Sequence, residues 1–139
     1  MPAPWTFDEA LDACRRASEA QASAETALIS ATRASAAAEE AYRKALAREI
    51  VHQHDNERVA WTVAPDLARG NALVAELRRE RDIAEGVREA TQQAAWRHAA
   101  DRKDAQRFAD WSMRRELAER APGGDQPSWS EAFAGGRAA

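Results

Sequence analysis

The sequence predicts an all-α protein, a long antiparallel helical hairpin that is coiled-coil-like, with an alanine-rich seam and a disordered C-terminal tail. Two long segments without proline, from Pro4 to Pro65 and from Pro65 to Pro122, allow two helices of about equal length to fold back on each other. A heptad repeat of small side chains marks the first as a helix that another helix can approach closely. Its alanines alternate between spacings of three and four: Ala10, Ala13, Ala17, Ala20, Ala24, Ala27, Ala31, Ala34, Ala38, Ala41 and Ala45.

The composition agrees with helices that lack a deep core. Of 139 residues, 35 are alanine and 18 are Leu, Ile, Val or Phe. Such a chain forms helices readily but must gain stability by packing against a second helix, within the chain or between chains. We therefore expect a homo-oligomer. The formal net charge of −3, from 20 basic and 23 acidic residues, does not by itself indicate a nucleic-acid or membrane partner.

The first helix is predicted from about residue 6 to residue 58. Thr6 and Glu9 have the spacing of a capping box, in which each side chain accepts a hydrogen bond from the other residue's backbone amide. Asp8 and Glu9 also suit the positive end of the helix dipole. Larger side chains widen the apolar face beside the alanine repeat: Leu11, Cys14, Leu28, Tyr42 and Leu46.

A turn is predicted over residues 59–71, and a second helix from about residue 72 to residue 120. Pro65 suits the start of a short helical segment, Gly70 suits its end, and Asn71 suits the cap of the next helix. Within the second helix, Gly86 is a local weak point. The predicted apolar face of this helix carries Leu73, Leu77, Ile83, Ala84, Val87, Ala90, Ala94, Ala105 and Phe108.

The domain prediction is one α-helical hairpin over residues 1–121 and a flexible tail over residues 122–139. The tail also holds a capping-box spacing, with Trp129 and Phe133 one turn apart, which is typical of a short helix that folds onto a partner. These two residues are the candidate docking motif. A plain flexible tail is the alternative.

Neither a catalytic site nor a cofactor is expected. Carboxylates such as Glu76, Glu80 and Glu85 are scattered among arginines at ion-pair spacing. His52 and His54 lie two residues apart, so on a helix they point in nearly opposite directions and do not share a metal ion. We therefore predict no enzyme and no metal. One cysteine, no membrane-spanning apolar segment and no signal-peptide pattern at the N-terminus indicate a cytoplasmic protein.

One face of the second helix combines basic and aromatic residues. At 100° per residue, Trp96, Lys103, Arg107, Trp111 and Arg114 fall within a stripe of about 80°. Bases stack on exposed tryptophans while phosphates pair with Lys or Arg, so the stripe is a candidate site for single-stranded nucleic acid. Acidic neighbours oppose this interpretation, and the alternative is burial of both tryptophans against a second hairpin or another partner.

Part of the chain resembles small uncharacterised helical proteins from the early, recombination-associated regions of phages and prophages of Gram-positive bacteria. The residues that carry the resemblance are Ala41-Tyr42, Ala45-Leu46, Thr62, Ala64, Asp66-Leu67-Ala68-Arg69-Gly70 and Arg81-Asp82-Ile83-Ala84-Glu85. The resemblance covers about half of the chain and implies an accessory protein of the host cytoplasm with no known catalytic site. Small secreted helical hairpins of actinobacteria have a Trp-x-Gly turn, but Trp61-Thr62-Val63 lacks that glycine.

The leading functional hypothesis is a non-enzymatic helical accessory or adaptor protein that self-associates and binds a protein partner of nucleic-acid metabolism. The first alternative is direct binding of single-stranded nucleic acid along the second helix. A further alternative is inhibition of a host enzyme.

Overall fold

The computed structural model describes residues 6–121, which form three helices: α1 (Phe7–Asp55), α2 (Ala64–Arg69) and α3 (Ala72–Arg120). No strand occurs between residues 6 and 121, and α1 and α3 pack against each other as a hairpin, so the predicted all-α hairpin is confirmed. The bounds of α3 are as predicted, whereas α1 ends at Asp55, before the predicted residue 58. The tail, with its candidate docking motif, lies outside the described residues.

The start of α1 has the predicted capping box. The Thr6 amide donates to Glu9 Oε2 over 2.7 Å, and the Glu9 amide donates to Thr6 Oγ1 over 3.3 Å. Two amides at the helix start, which have no partner within the helix, are satisfied in this way.

The connection between the long helices contains α2, as Pro65 and Gly70 predict. Gly70 stands at the C-cap of α2, yet its φ of −79° lies in the right-handed region. The left-handed conformation occurs instead at Arg58, with a φ of 53°. Asn71 caps α3, since its Oδ1 accepts from the Leu73 amide over 2.9 Å and from the Val74 amide over 3.3 Å.

The alanine repeat of α1 is split between the helix interface and solvent. One half of it faces α3, where Ala10 is fully buried and Ala31 is 9% exposed, while Ala27, Ala34 and Ala41 are exposed. The repeat is expected to face the second helix or a second copy of the chain, and within this chain α3 does not cover these three alanines. In each heptad, a second residue on the side of α3 follows the alanine by four positions. Several of these residues, such as Gln21, Ser35 and Tyr42, have longer side chains that reach α3. We define the α1 seam as the buried and half-buried residues of α1 that follow this seven-residue spacing: Ala10, Cys14, Ala17, Gln21, Ala24, Leu28, Ala31, Ser35, Ala38, Tyr42, Ala45 and Glu49.

The α3 seam is more polar than the predicted apolar face. Four residues of that predicted face are not covered by α1: Leu73 is 64% exposed, Ile83 and Val87 are each 53% exposed, and Ala90 is exposed. Arginine and polar side chains occupy inner positions because their aliphatic stems pack while their heads find partners. The α3 seam consists of Val74, Leu77, Arg81, Ala84, Arg88, Thr91, Ala95, His98, Arg102, Ala105, Ala109 and Ser112, all buried or half-buried.

The chain divides into two compact units. Within the described chain, one unit contains residues up to Glu25 and residues from Ala94 onward. There, Glu116 Oε1 accepts from the Phe7 amide over 3.1 Å, and Arg102 Nη1 donates to Gln21 Oε1 over 3.2 Å. These side-chain contacts join the two helices of this unit.

The other unit is Thr26–Gln93. In it, Ser35 Oγ donates to Glu85 Oε2 over 2.8 Å, and the Arg81 guanidinium lies 4.5 Å from the centroid of the Tyr42 ring. Between residues 6 and 121, no helix has the length and hydropathy needed to cross a bilayer.

Candidate functional site

The predicted basic-aromatic stripe lies on the part of α3 that begins at Ala94. Trp96 is 64% exposed, and Lys103, Arg107 and Arg114 are exposed as well. Arg107 Nη1 lies 3.7 Å from Asp104 Oδ1, so part of its charge is compensated. The three basic side chains and Trp96 are therefore accessible to a ligand.

Trp111 does not share that exposure. It is 7% exposed, and its ring lies 5.8 Å from the Phe108 ring, between centroids, and 5.0 Å from the Arg115 guanidinium. The expectation that both tryptophans form an open stacking surface is therefore wrong for Trp111. A helical wheel gives the direction in which a side chain leaves the helix, but it does not show that neighbouring side chains cover an indole. The accessible stripe holds one tryptophan rather than two.

A polar groove lies within the unit Thr26–Gln93. Its volume is about 520 Å³, and three arginines and three carboxylates line it together with Thr32, Ser35 and Ala36. Each arginine has an acidic partner: Arg43 with Glu39 at 2.5 Å, Arg81 with Asp82 at 2.7 Å, and Arg88 with Glu85 at 2.5 Å. The groove therefore has balanced charges and no surplus that selects an anion or a cation.

Glu85 is the most strongly perturbed ionisable group of this groove. Hydrogen bonds from Arg88 and then from Ser35 lower the pKa of Glu85 to about 2. Both donors bind the ionised carboxylate, which favours the charged form. Because Ser35 belongs to α1 and Glu85 to α3, this carboxylate joins the two helices and has a structural role.

The histidines near the end of α1 have separate partners. His52 Nδ1 lies 2.7 Å from Asn56 Nδ2, whereas the His54 ring stacks on Trp61 with centroids 3.6 Å apart. Among residues 6–121, no group of three His, Cys, Asp or Glu side chains is placed to hold a metal ion. The stack fixes Trp61 beside α1, yet Trp61 remains 55% exposed.

An exposed apolar face on α3 was absent from the predicted sites. Ile83 and Val87 are each 53% exposed, and Gly86 and Ala90 beside them are exposed. The available sequence signal was the seven-residue spacing of Val74, Arg81, Arg88, Ala95, Arg102 and Ala109. Those positions lie in the α3 seam, and Ile83 and Val87, which do not follow this spacing, face outward.

Neither a family model, nor a curated protein, nor a solved structure matches this chain. The resemblance to early-region phage proteins therefore stays a prediction.

Proposed function

We propose that this chain is a non-enzymatic helical accessory or adaptor protein that self-associates and binds a protein partner. The observation that carries the proposal is the distribution of apolar side chains. Large ones are exposed on α3, with Leu73 and Trp96 each 64% exposed. The buried apolar residues in the described part of the chain are mostly alanines: Ala10, Ala31, Tyr42, Ala64, Ala68, Val74, Ala95, Ala109 and Trp111.

This distribution favours association because alanine contributes little apolar area when it is buried. Burial of a Val, Leu or Ile side chain contributes about 1.5–3 kcal/mol relative to exposure. Burial of the exposed Ile83, Val87 and Trp96 side chains by a partner would therefore favour binding. Ile83 and Val87, four residues apart on α3, are neighbours on one exposed face, and exposed apolar patches mark interaction sites in soluble proteins.

A link of the partner to nucleic-acid metabolism is supported by the phage resemblance and by the exposed basic side chains of α3, which suit proximity to nucleic acid.

Co-purification tests the adaptor function. The tagged full chain is expressed in a bacterial host, and its eluate is divided and treated with or without nuclease. A protein partner should persist after nuclease treatment and should be lost from Trp96→Ala but not from Arg97→Ala, an exposed neighbour. Absence of any retained protein, or loss of every retained protein on nuclease treatment, would contradict a protein adaptor.

Melting curves test self-association. The unfolding temperature of an associating protein rises with concentration, so it should increase between about 2 and about 200 µM. An unchanged melting temperature over this range would contradict the association.

Single-stranded nucleic-acid binding is the second candidate function. Trp96, Lys103, Arg107 and Arg114 are all exposed on α3, which supports it. The burial of Trp111 limits stacking to one tryptophan.

A further inference from the structure

We propose that two copies of the chain pair antiparallel through one exposed face of α3, about a two-fold axis between Gly86 and Val87. This face, the α3 outer face, consists of Glu80, Ile83, Gly86, Val87, Ala90 and Gln93, all of which are exposed. The inference rests on the proposed self-association and names its surface. All six residues belong to the unit Thr26–Gln93.

The α3 outer face is apolar at its centre and has no partner within the described chain. Ile83 and Val87 are each 53% exposed, whereas Val74 on the same helix is 2% exposed. At 100° per residue the six side chains occupy about 140° of the helix surface, and the α3 seam lies on another side. A second helix can therefore cover the face without displacing α1.

Gly86 provides independent support for close approach by another helix. A Cβ atom at Gly86 would meet nothing within 4 Å. Glycine in a helix interior is less favourable than alanine, and no contact within the described chain accounts for it here. A helix that crosses at this point would use the missing side chain to come close.

The spacing of the face identifies a second copy as the occupant. Glu80, Ile83 and Gly86 precede the midpoint at intervals of three residues, and Val87, Ala90 and Gln93 follow it at the same intervals. In an antiparallel pair, Ile83 then lies opposite Ala90 of the second copy, and the two Val87 side chains meet beside the two-fold axis, where Gly86 leaves space for the helices to approach. The large Ile83 side chain therefore meets a small one, which is the complementarity that close helix packing needs.

The polar ends of the face are complementary in the same arrangement. Each Glu80 carboxylate lies opposite the Gln93 amide of the second copy, which can donate a hydrogen bond to it. In a parallel pair, by contrast, Glu80 would face Glu80, and the two like charges would repel. The face therefore favours an antiparallel copy of itself.

Sedimentation equilibrium of the full chain tests the pairing, with circular dichroism as a check of folding. Gln93→Lys should tighten the dimer because it creates two Glu80–Lys pairs, each shifting the dissociation constant by roughly two- to fivefold. Gln93→Glu should weaken it, and the double variant Glu80→Lys, Gln93→Glu should bind about as tightly as Gln93→Lys, because it creates the same two ion pairs with the charges exchanged. A parallel pair predicts the opposite sign for Gln93→Lys.

A second arm tests the apolar centre. Val87→Asp should weaken the dimer by more than about a hundredfold, because it places two carboxylates beside the two-fold axis. Helicity should be retained because Val87 is 53% exposed. Arg78→Glu, at an exposed residue on another side of α3, is the matched control and should leave the dimer unchanged.

The outcomes distinguish a failure of pairing through the α3 outer face from a failure of self-association itself. A wild-type chain that remains monomeric up to about 200 µM overturns both self-association and this interface. A wild-type dimer that tolerates Val87→Asp overturns the α3 outer face and leaves self-association standing. A wild-type dimer weakened by Gln93→Lys overturns the antiparallel arrangement.

Discussion

At the residue scale, backbone conformation and residue type are mismatched in the connection between α1 and α3. Arg58 adopts a φ of 53°, the left-handed region that suits glycine, whereas Gly70 adopts −79°, which any residue accepts. A left-handed conformation costs a residue with a side chain roughly 1–2 kcal/mol. A Cβ at Gly70 would approach Leu67 O at 3.4 Å. The backbone is therefore strained at Arg58, whereas the wider conformational range of glycine is not needed at Gly70.

Placing glycine at position 58 and a residue with a side chain at position 70 should stabilise the protein. Arg58→Gly should raise the free energy of unfolding by up to about 1 kcal/mol by relieving the strain, and Gly70→Ala by about 0.4–1 kcal/mol by restricting the unfolded chain. Arg58→Val is the matched control and should destabilise, because a β-branched residue resists this conformation. Urea denaturation measures all three changes. A stabilising Arg58→Val would show that Arg58 is not left-handed.

The two tryptophans of the predicted stripe should differ in their contributions to stability. Trp111 is 7% exposed and Trp96 is 64% exposed. Trp111→Ala should therefore cost about 3–5 kcal/mol of unfolding free energy, while Trp96→Ala should change it by no more than about 0.5 kcal/mol. Chemical denaturation at a single low protein concentration checks both. Equal effects of the two substitutions on the free energy of unfolding would show that Trp111 is as exposed as Trp96.

Sequence reasoning succeeds at this scale where the interacting groups are close in the chain. The Thr6–Glu9 capping box and the Asn71 cap are pairings over two or three residues, and both are present. The exposure of Trp111 could not be obtained in the same way, because it depends on which neighbouring side chains cover the indole. Gly70 was correctly placed at a helix end, but residue type alone does not determine its φ.

At the element scale, the α1 seam and the α3 seam are joined by alanine methyl groups and by a few polar contacts. The alanine spacing predicts the hairpin correctly. It does not show which second residue of each heptad faces α3 together with the alanine. Ser35, Tyr42 and Gln21 take those positions because each reaches a partner on α3. Hydropathy alone favours Ile83 and Val87 over the arginines of the α3 seam as residues that face α1. For this reason the sequence does not reveal that the α3 outer face is exposed.

The interface should resist overpacking at buried alanines only. Ala31 is 9% exposed and Ala34 is exposed, three residues along the same helix. Ala31→Leu should reduce the free energy of unfolding by about 1–3 kcal/mol, because the larger side chain forces the helices apart. Ala34→Leu, the matched control, should remain near wild type. If both variants melt like wild type, the assignment of Ala31 to the interface is wrong.

The Ser35–Glu85–Arg88 contact should make stability depend on pH. The folded-state pKa of Glu85, about 2, lies below the ordinary value of 4.5. Its contribution is therefore fully present above about pH 4.5 and is lost as the pH falls toward 2. Ser35→Ala should raise the pKa of Glu85 by removing one donor, and NMR titration of the carboxyl measures it. An unchanged pKa would mean that Ser35 does not bind the carboxylate in solution.

At the scale of the whole molecule, two ways of engaging partners remain in competition, one through apolar side chains and one through basic ones. The apolar route uses Ile83, Val87 and Trp96, while the basic route uses Lys103, Arg107 and Arg114. Their response to salt separates them, because counterion release governs nucleic-acid binding but contributes little to apolar association.

If the basic stripe binds single-stranded nucleic acid, the affinity for a labelled oligonucleotide should fall steeply with salt. Three phosphate contacts, from Lys103, Arg107 and Arg114, give a slope of about −2 in log affinity against log salt. Changing all three residues to Glu should abolish binding, and Trp96→Ala should cost about 1–3 kcal/mol for the lost stack. Trp111→Phe is the control and should bind as wild type. The absence of any shift by wild-type protein at low salt would eliminate this function.

The seven-residue repetition of the seam alanines has a consequence for how uniquely the hairpin is aligned. Sliding α3 past α1 by one heptad, about 10 Å, would again place methyl groups between the helices, so alanine packing barely distinguishes one alignment from the next. The polar contacts do distinguish them, because Ser35–Glu85 and Gln21–Arg102 are lost on sliding. Replacing Gln21, Ser35 and Tyr42 together by alanine should therefore preserve helix content while yielding a mixture of shifted hairpins, visible as multiple amide resonances in slow exchange.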